Sequence, residues 1–172
     1  MSEQKKYEFT GKIKTIFGIE FKQIRAIISF GCVVAGEIGG WIECEENLSQ
    51  SGDAWVSGDA RVYGNARVSG NAWVSGDAEV YGDAEVSGNA WVSGDAEVKK
   101  DDDYMVVGGA GRYNRFTTFF KCRDKTIKVI CGCFFGTIIE FRAKVKETHK
   151  GNKHEKVYLA MADMVELQLD DK

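Results

Sequence analysis

Long hydrophobic runs are missing from this chain of 172 residues. The longest, AIISFGCVVA from Ala26 to Ala35, falls well short of the roughly 20 apolar residues that a bilayer-spanning helix needs. No helical membrane anchor is expected. The opening residues, MSEQKKYEF, are polar and lack the apolar stretch of a signal peptide, so a cytoplasmic protein is expected. The cysteines (Cys32, Cys44, Cys122, Cys131 and Cys133) are odd in number, and without an export signal they read as reduced thiols. Histidine is scarcer still: His149 and His154 are the two in the chain, both near its C-terminal end. Gly-Lys-Ser/Thr is absent, which excludes a P-loop.

Basic charge is lacking where the sequence is most regular. Residues 36–103 carry four Lys/Arg against fifteen Asp/Glu, whereas 1–35 carry six against three and 104–172 carry thirteen against eight. Gripping a nucleic acid polymer takes Lys and Arg on phosphates, so the acidic middle argues against it. Anion binding belongs in the flanks, unless the opposite charges simply let the parts pack or assemble together.

What is present is a repeat. From Ser51 to Val98 eight hexads read (S/Y)-G-(D/N)-A-x-V, with Ala at 54, 60, 66 and onward to 96, and Val at 56, 62, 68 and onward to 98. Apolar residues two apart point to one side of an extended segment, so each hexad is a short strand with Ala and Val inward and x outward. The Gly-Asp or Gly-Asn pair turns the chain, because these residues tolerate positive φ. A second period of 18 overlies the first: Trp55, Trp73 and Trp91 repeat at it, and so do Tyr63 and Tyr81. Arg61 falls under Glu79 and Glu97, and Arg67 under Glu85. Three strands therefore close one coil, and stacked coils supply each other's backbone partners and core. Leu48 and Ile42 extend the Ala column upstream, and Cys44 the Val column.

The hexads, with Val56 and Ala60 and every later pair in place, resemble the hexapeptide-repeat left-handed parallel β-helix. The resemblance implies the left-handed winding and assembly through flat faces, with a homo-trimer favoured. The segments YEFTGKIKTIFG, GGWIECEENLSQSGDAWV, RYNRFTTFF, CGCFFGT and ETHKGN are similar to those of a group of bacteriophage and prophage proteins. That similarity implies a phage-related gene acting in the bacterial host cytoplasm, and it assigns no site residue.

The expected fold is mainly β, with an N-terminal β cap (1–35), the hexapeptide β-helix (36–100) and a small C-terminal α+β unit (101–172). In the cap, residues 7–30 read as two or three strands broken at Thr10-Gly11 and Phe17-Gly18. KKDDDY after Val98 reads as a solvated linker. Beyond it a hairpin is followed by two helices. The first opens on a capping box, Thr137 to Glu140, and stops near Lys150-Gly151; the second runs from about Glu155 to Leu169.

Chemistry is thinly written. Hexapeptide acyltransferases place a catalytic His on or beside a coil, and here both histidines lie outside the repeat, so no catalytic residue, no cofactor and no metal are expected and the protein reads as a non-enzyme. Cys122, Cys131 and Cys133 with a histidine have the elements of a zinc site but read as core thiols, and the column Asp59, Asp77, Asp95 reads as turn residues. In VVGGAGRYNRFTT, Gly109 and Gly111 could let backbone amides approach an anion, with Arg112, Tyr113, Arg115 and Thr117 beside them. That loop is the candidate site. Trp55, Trp73, Trp91, Tyr63 and Tyr81 form an aromatic edge, either a stacking platform or a surface covered by the C-terminal helices or a second subunit. The function expected is a non-catalytic oligomeric binding protein of phage type. It would interfere with the host by sequestering a small anionic or nucleotide signal, or by blocking a host defence protein. A self-assembling structural β-helix is the alternative, and an acyltransferase-like enzyme the third.

Overall fold

The computed structural model describes residues 5–111 and 113–169. The chain begins with two long strands, β1 (Tyr7–Ile16) and β2 (Ile19–Ala26), then β3 (Ile38–Ile42). Eight two-residue strands follow, one per hexad: β4 (Trp55–Val56), β5 (Arg61–Val62), β6 (Arg67–Val68), β7 (Trp73–Val74), β8 (Glu79–Val80), β9 (Glu85–Val86), β10 (Trp91–Val92) and β11 (Glu97–Val98). They pair in parallel 18 residues apart, Trp55 with Trp73 and Trp91, Val62 with Val80 and Val98, Arg67 with Glu85. Three sheets result, β3-β5-β8-β11 continued by β2 and β1, β4-β7-β10, and β6-β9. This is a three-faced parallel β-solenoid, compatible with left-handed winding.

The reason is legible in each hexad. Every Ala and Val of the two columns is buried, at most 1% exposed, so a core made of methyls alone runs up the axis. Coils are joined by amide-to-carbonyl bonds such as Trp55 N to Ala72 O (2.9 Å) and Ser57 N to Val74 O (2.9 Å). At the corners the glycines stack. Gly76 has φ +68°, and a Cβ there would lie 2.8 Å from the amide nitrogen of Gly94, so the corner has no room for a side chain. Outside, Arg61 pairs with Glu79, and Tyr63 lies flat on Tyr81 (centroids 5.1 Å apart, planes within 4°).

The register upstream of the hexads differs from the sequence reading. Ile42 pairs with Val62 and Leu48 with Val68, so both belong to the Val column rather than the Ala column. Two extra residues between Leu48 and Val56 shift the phase, and that first coil counts 20 rather than 18. Trp41 stands over Arg61, not in the Trp column.

The N-terminal cap is continuous with the solenoid, since β3 pairs antiparallel with β2 and parallel with β5. Phe17-Gly18, both at positive φ, form a two-residue hairpin turn. Thr10-Gly11 is not a break: β1 runs through it, with an irregularity between Phe9 and Ile13. The cap folds over Trp55, which is wholly buried with Tyr7 and Phe30 edge-on to it (6.5 and 5.5 Å). Trp73 is half-buried and Trp91 is 47% exposed. The expected uniform stripe is thus graded, and its first indole is covered by the chain's own cap rather than by helices or a second subunit.

Lys6 is buried in this cap. Its Nζ donates to the carbonyl of Ala54 (2.7 Å) and lies over the Phe30 ring. Burial lowers its pKa to about 8 from an ordinary 10.5, against the opposing pull of Asp53. Below pH 8 both folded and unfolded chains carry the proton, and folding bears the cost of the buried charge. Between about 8 and 10.5 the unfolded chain holds more protons, so Lys6 makes stability rise with pH across that window. Subtracting the pH profile of a Lys6→Met variant from that of the wild type should expose this rise; a flat difference would refute it.

The C-terminal unit is larger than the expected hairpin. Four antiparallel strands, β12 (Tyr104–Ala110), β13 (Arg115–Lys121), β14 (Ile127–Cys131) and β15 (Phe134–Thr137), form a meander in that order. Two helices pack on it, α1 (Ile138–His149) and α2 (Lys153–Leu169), burying Phe119, Val129, Phe141, Val145, Tyr158, Ala162, Val165 and Leu169 together. The capping box forms as read: Thr137 Oγ1 accepts from the Glu140 amide, and Glu140 Oε2 from the Thr137 amide. The stretch expected to be a solvated linker is a 3-10 turn, Asp101–Asp103. Asp103 is buried, accepting from the Lys99 and Lys100 amides and pairing with Lys121, which explains why an acid run is ordered. The last coil is joined to the unit by the Ala96–Cys122 bridge, by Arg123 N to Asp95 O (3.2 Å) and by the Trp91 amide to Thr118 Oγ1 (3.1 Å). Among the described residues no helix is long and apolar enough to cross a membrane.

Candidate functional site

The β12–β13 turn, the β14–β15 turn and the junction of the two helices come together around a cleft of about 550 Å³. Its walls carry Phe134, Phe141, Val145 and Tyr158, and its polar lining includes Arg115, Cys131, Cys133, Lys144, His149 and His154. Each arrives by a local cause. Phe141, Val145 and His149 sit four residues apart, so one face of α1 runs from core to cleft. Lys150 and Gly151, both left-handed (φ +43° and +83°), end α1 and turn the chain into α2, which brings His154 to His149 (ring centroids 5.8 Å). His149 in turn stacks on Tyr158 at 5.4 Å.

The candidate loop reaches the same cleft. Arg115 is exposed and lies over the Tyr113 ring (5.0 Å), with Tyr113 exposed beside it. Gly109 and Gly111 are left-handed, φ +74° and +73°. Gly111 is required by packing as well, since a Cβ there would stand 1.9 Å from Tyr158 Oη. Thr117 does not face the cleft freely: it is fully buried, and its Oγ1 donates to Cys131 Sγ at 3.2 Å, so it steadies the thiol. Tyr158 also hydrogen-bonds Cys131, and burial first, then that thiol, pushes the phenol up to about 12. Arg112 lies outside the described residues.

The cysteines separate. Cys131, half-buried, ends β14 and Cys133, exposed, lies in the turn after it, so of the three expected core thiols Cys122 alone is buried. Cys122 is elsewhere, at the solenoid end beside Asp95 and Asp124. Burial pushes the Cys122 thiol up to about 12, and Asp95 is taken by Lys128. Asp59 and Asp95 hold different partners, Lys14 and Lys128, while Asp77 takes part through its backbone, its carbonyl accepting from Arg123.

Chemically the cleft offers a guanidinium for an anion, two imidazoles with nitrogen donors and acceptors, a thiol, and an apolar floor. The histidines, which the sequence places outside the repeat, line the same cleft as Tyr113 and Arg115 of the candidate loop. The missed signal was periodicity: His149 prolongs the apolar row of α1.

The family described as YdcK β-solenoid repeat matches residues 60–76. A curated relative, the uncharacterized acetyltransferase YdcK of Escherichia coli (strain K12), is 36% identical over 70 residues, which cover 37% of this chain and 21% of the relative. The chain thus spans about a fifth of the length of the relative it matches. That relative's name corrects the expectation of a non-enzyme. The expectation rested on coils without histidine, and a histidine need not come from a coil.

Proposed function

We propose that the C-terminal cleft is the ligand site of this protein and that it takes a small anion bearing an apolar or aromatic part. The convergence of Arg115, His149 and His154 on the floor of Phe134, Phe141 and Val145 carries this reading. Of the host-directed roles, capture of a small anionic signal in a bacterial cytoplasm by a phage-type protein fits this cleft. Trp73 and Trp91, the open end of the Trp column, are the proposed face for a homo-trimer. A thermal-melt screen of anionic metabolites should find a stabilising ligand. Arg115→Ala should then weaken it about tenfold to a hundredfold, the value of a charge-assisted pair. Unchanged affinity in both Arg115→Ala and His149→Ala would place the ligand elsewhere.

A second reading, acyl transfer, is favoured by the relative named as an acetyltransferase. His149 or His154 would take the proton from the acceptor's nucleophile as it attacks the acyl carbon. Wild-type protein incubated with an acetyl thioester and a panel of small amines should then release free thiol, and the two His→Ala variants together should abolish that release.

A further inference from the structure

A second cleft, of about 790 Å³, opens where the last coil ends and meets the C-terminal unit. Tyr81 and Glu97 of the solenoid line it, with Lys99, Lys100, Arg123 and Lys125 around them. Its acids are engaged. Asp103 holds Lys121 and two amides, Glu97 accepts from Tyr81 Oη (2.5 Å), and Glu166 pairs with Arg142. Arg123 is held by Glu79. The ammonium groups of Lys99, Lys100 and Lys125 form no ion pair among the described residues, and all three side chains are exposed.

The aromatic column explains what such a cationic cleft could take. Tyr63 lies on one face of Tyr81, at the spacing of one coil. One coil further the position is Lys99, so the column stops and no described ring lies on the other face of Tyr81. The Tyr81 hydroxyl is tied to Glu97, which fixes the ring in its plane. A flat ligand would continue the ladder, and lysines beside it would meet a phosphate.

The geometry points to this cleft as a binding site for a planar aromatic phosphate of the nucleoside monophosphate class, stacked on Tyr81 with its phosphate between Lys99, Lys100 and Lys125. The site is separate from the Arg115 cleft and does not depend on its function. Calorimetry with adenosine 5′-monophosphate, adenosine and ribose 5-phosphate tests it. The monophosphate should bind one per chain, at least tenfold tighter than either fragment. Tyr81→Leu should weaken it about tenfold to a hundredfold, the value of one ring stacked on a base. Since that change also removes the Tyr63 contact, the double variant Lys99→Ala/Lys125→Ala, at exposed positions, should give at least a tenfold loss in a fully folded protein. Arg115→Ala should change nothing. The proposal is overturned if the monophosphate binds no tighter than its fragments, if the lysine variant keeps wild-type affinity, or if Arg115→Ala abolishes binding.

Discussion

Trp55→Ala should destabilise the protein by about 3–5 kcal/mol, while Trp91→Ala, the same residue in the same column two coils on, should cost about 1 kcal/mol or less. The difference is burial. Trp55 is sealed under the cap by Tyr7 and Phe30, so truncation leaves a cavity that a rigid coil below and a hairpin above cannot close. Trp91 is 47% exposed, and much of its ring already meets water. Trp55→Phe separates shape from polarity. The Trp55 Nε1 is buried without a hydrogen-bond partner among the described residues, so phenylalanine removes an unsatisfied donor while keeping most of the apolar area. Its cost should stay within about 1 kcal/mol. Denaturant melts of the three variants check this, and equal losses for Trp55→Ala and Trp91→Ala would show that the cap does not seal the column.

Val80→Asp should abolish the cooperative fold. Val80 lies in an inner strand of its face, between Val62 and Val98, in a core of Ala and Val that offers no polar partner. An unpaired carboxylate there costs several kcal/mol even if it neutralises, against a total stability of about 5–15 kcal/mol. The neighbouring Glu79→Gln points outward and loses partly exposed pairs with Arg61 and Arg123, a loss of about 1 kcal/mol. Circular dichroism should show a folded Glu79→Gln protein and an unfolded Val80→Asp one. A folded, cooperatively melting Val80→Asp protein would mean that the column is not a sealed core.

The solenoid was readable because its physics is periodic. Inward Ala and Val, corner glycines and outward columns each repeat at a fixed count, so strands, register and coil length follow from spacing. The Thr137–Glu140 box was readable because a cap is a local contact across one turn. Phase was lost at the two extra residues between Leu48 and Val56, where no repeat remains to count against and Ile or Leu suits either column. Asp103 was misread because a charge run looks solvated unless its backbone partners are known. The C-terminal cleft lies beyond sequence reasoning for a different reason. Cys131, Gly111 and Tyr158 meet only when a strand, a turn and a helix close on one another, and no local rule links them. The loop residues Tyr113 and Arg115 were chosen for their chemistry, and the fold supplied their company.

The unequal coil counts, 20 residues in the first and 18 in the others, make the shaft a rotary index as well as a ruler. The first coil is locked to the hairpin above it and carries its own phase. Every later coil is interchangeable, so adding or removing 18 residues would lengthen or shorten the distance between the two ends by one strand spacing, about 4.8 Å, without turning either. Adding or removing six would swing the C-terminal unit, and both of its clefts, round to the next face. The spacing and the bearing of the binding end are thus set by separate integers in the sequence.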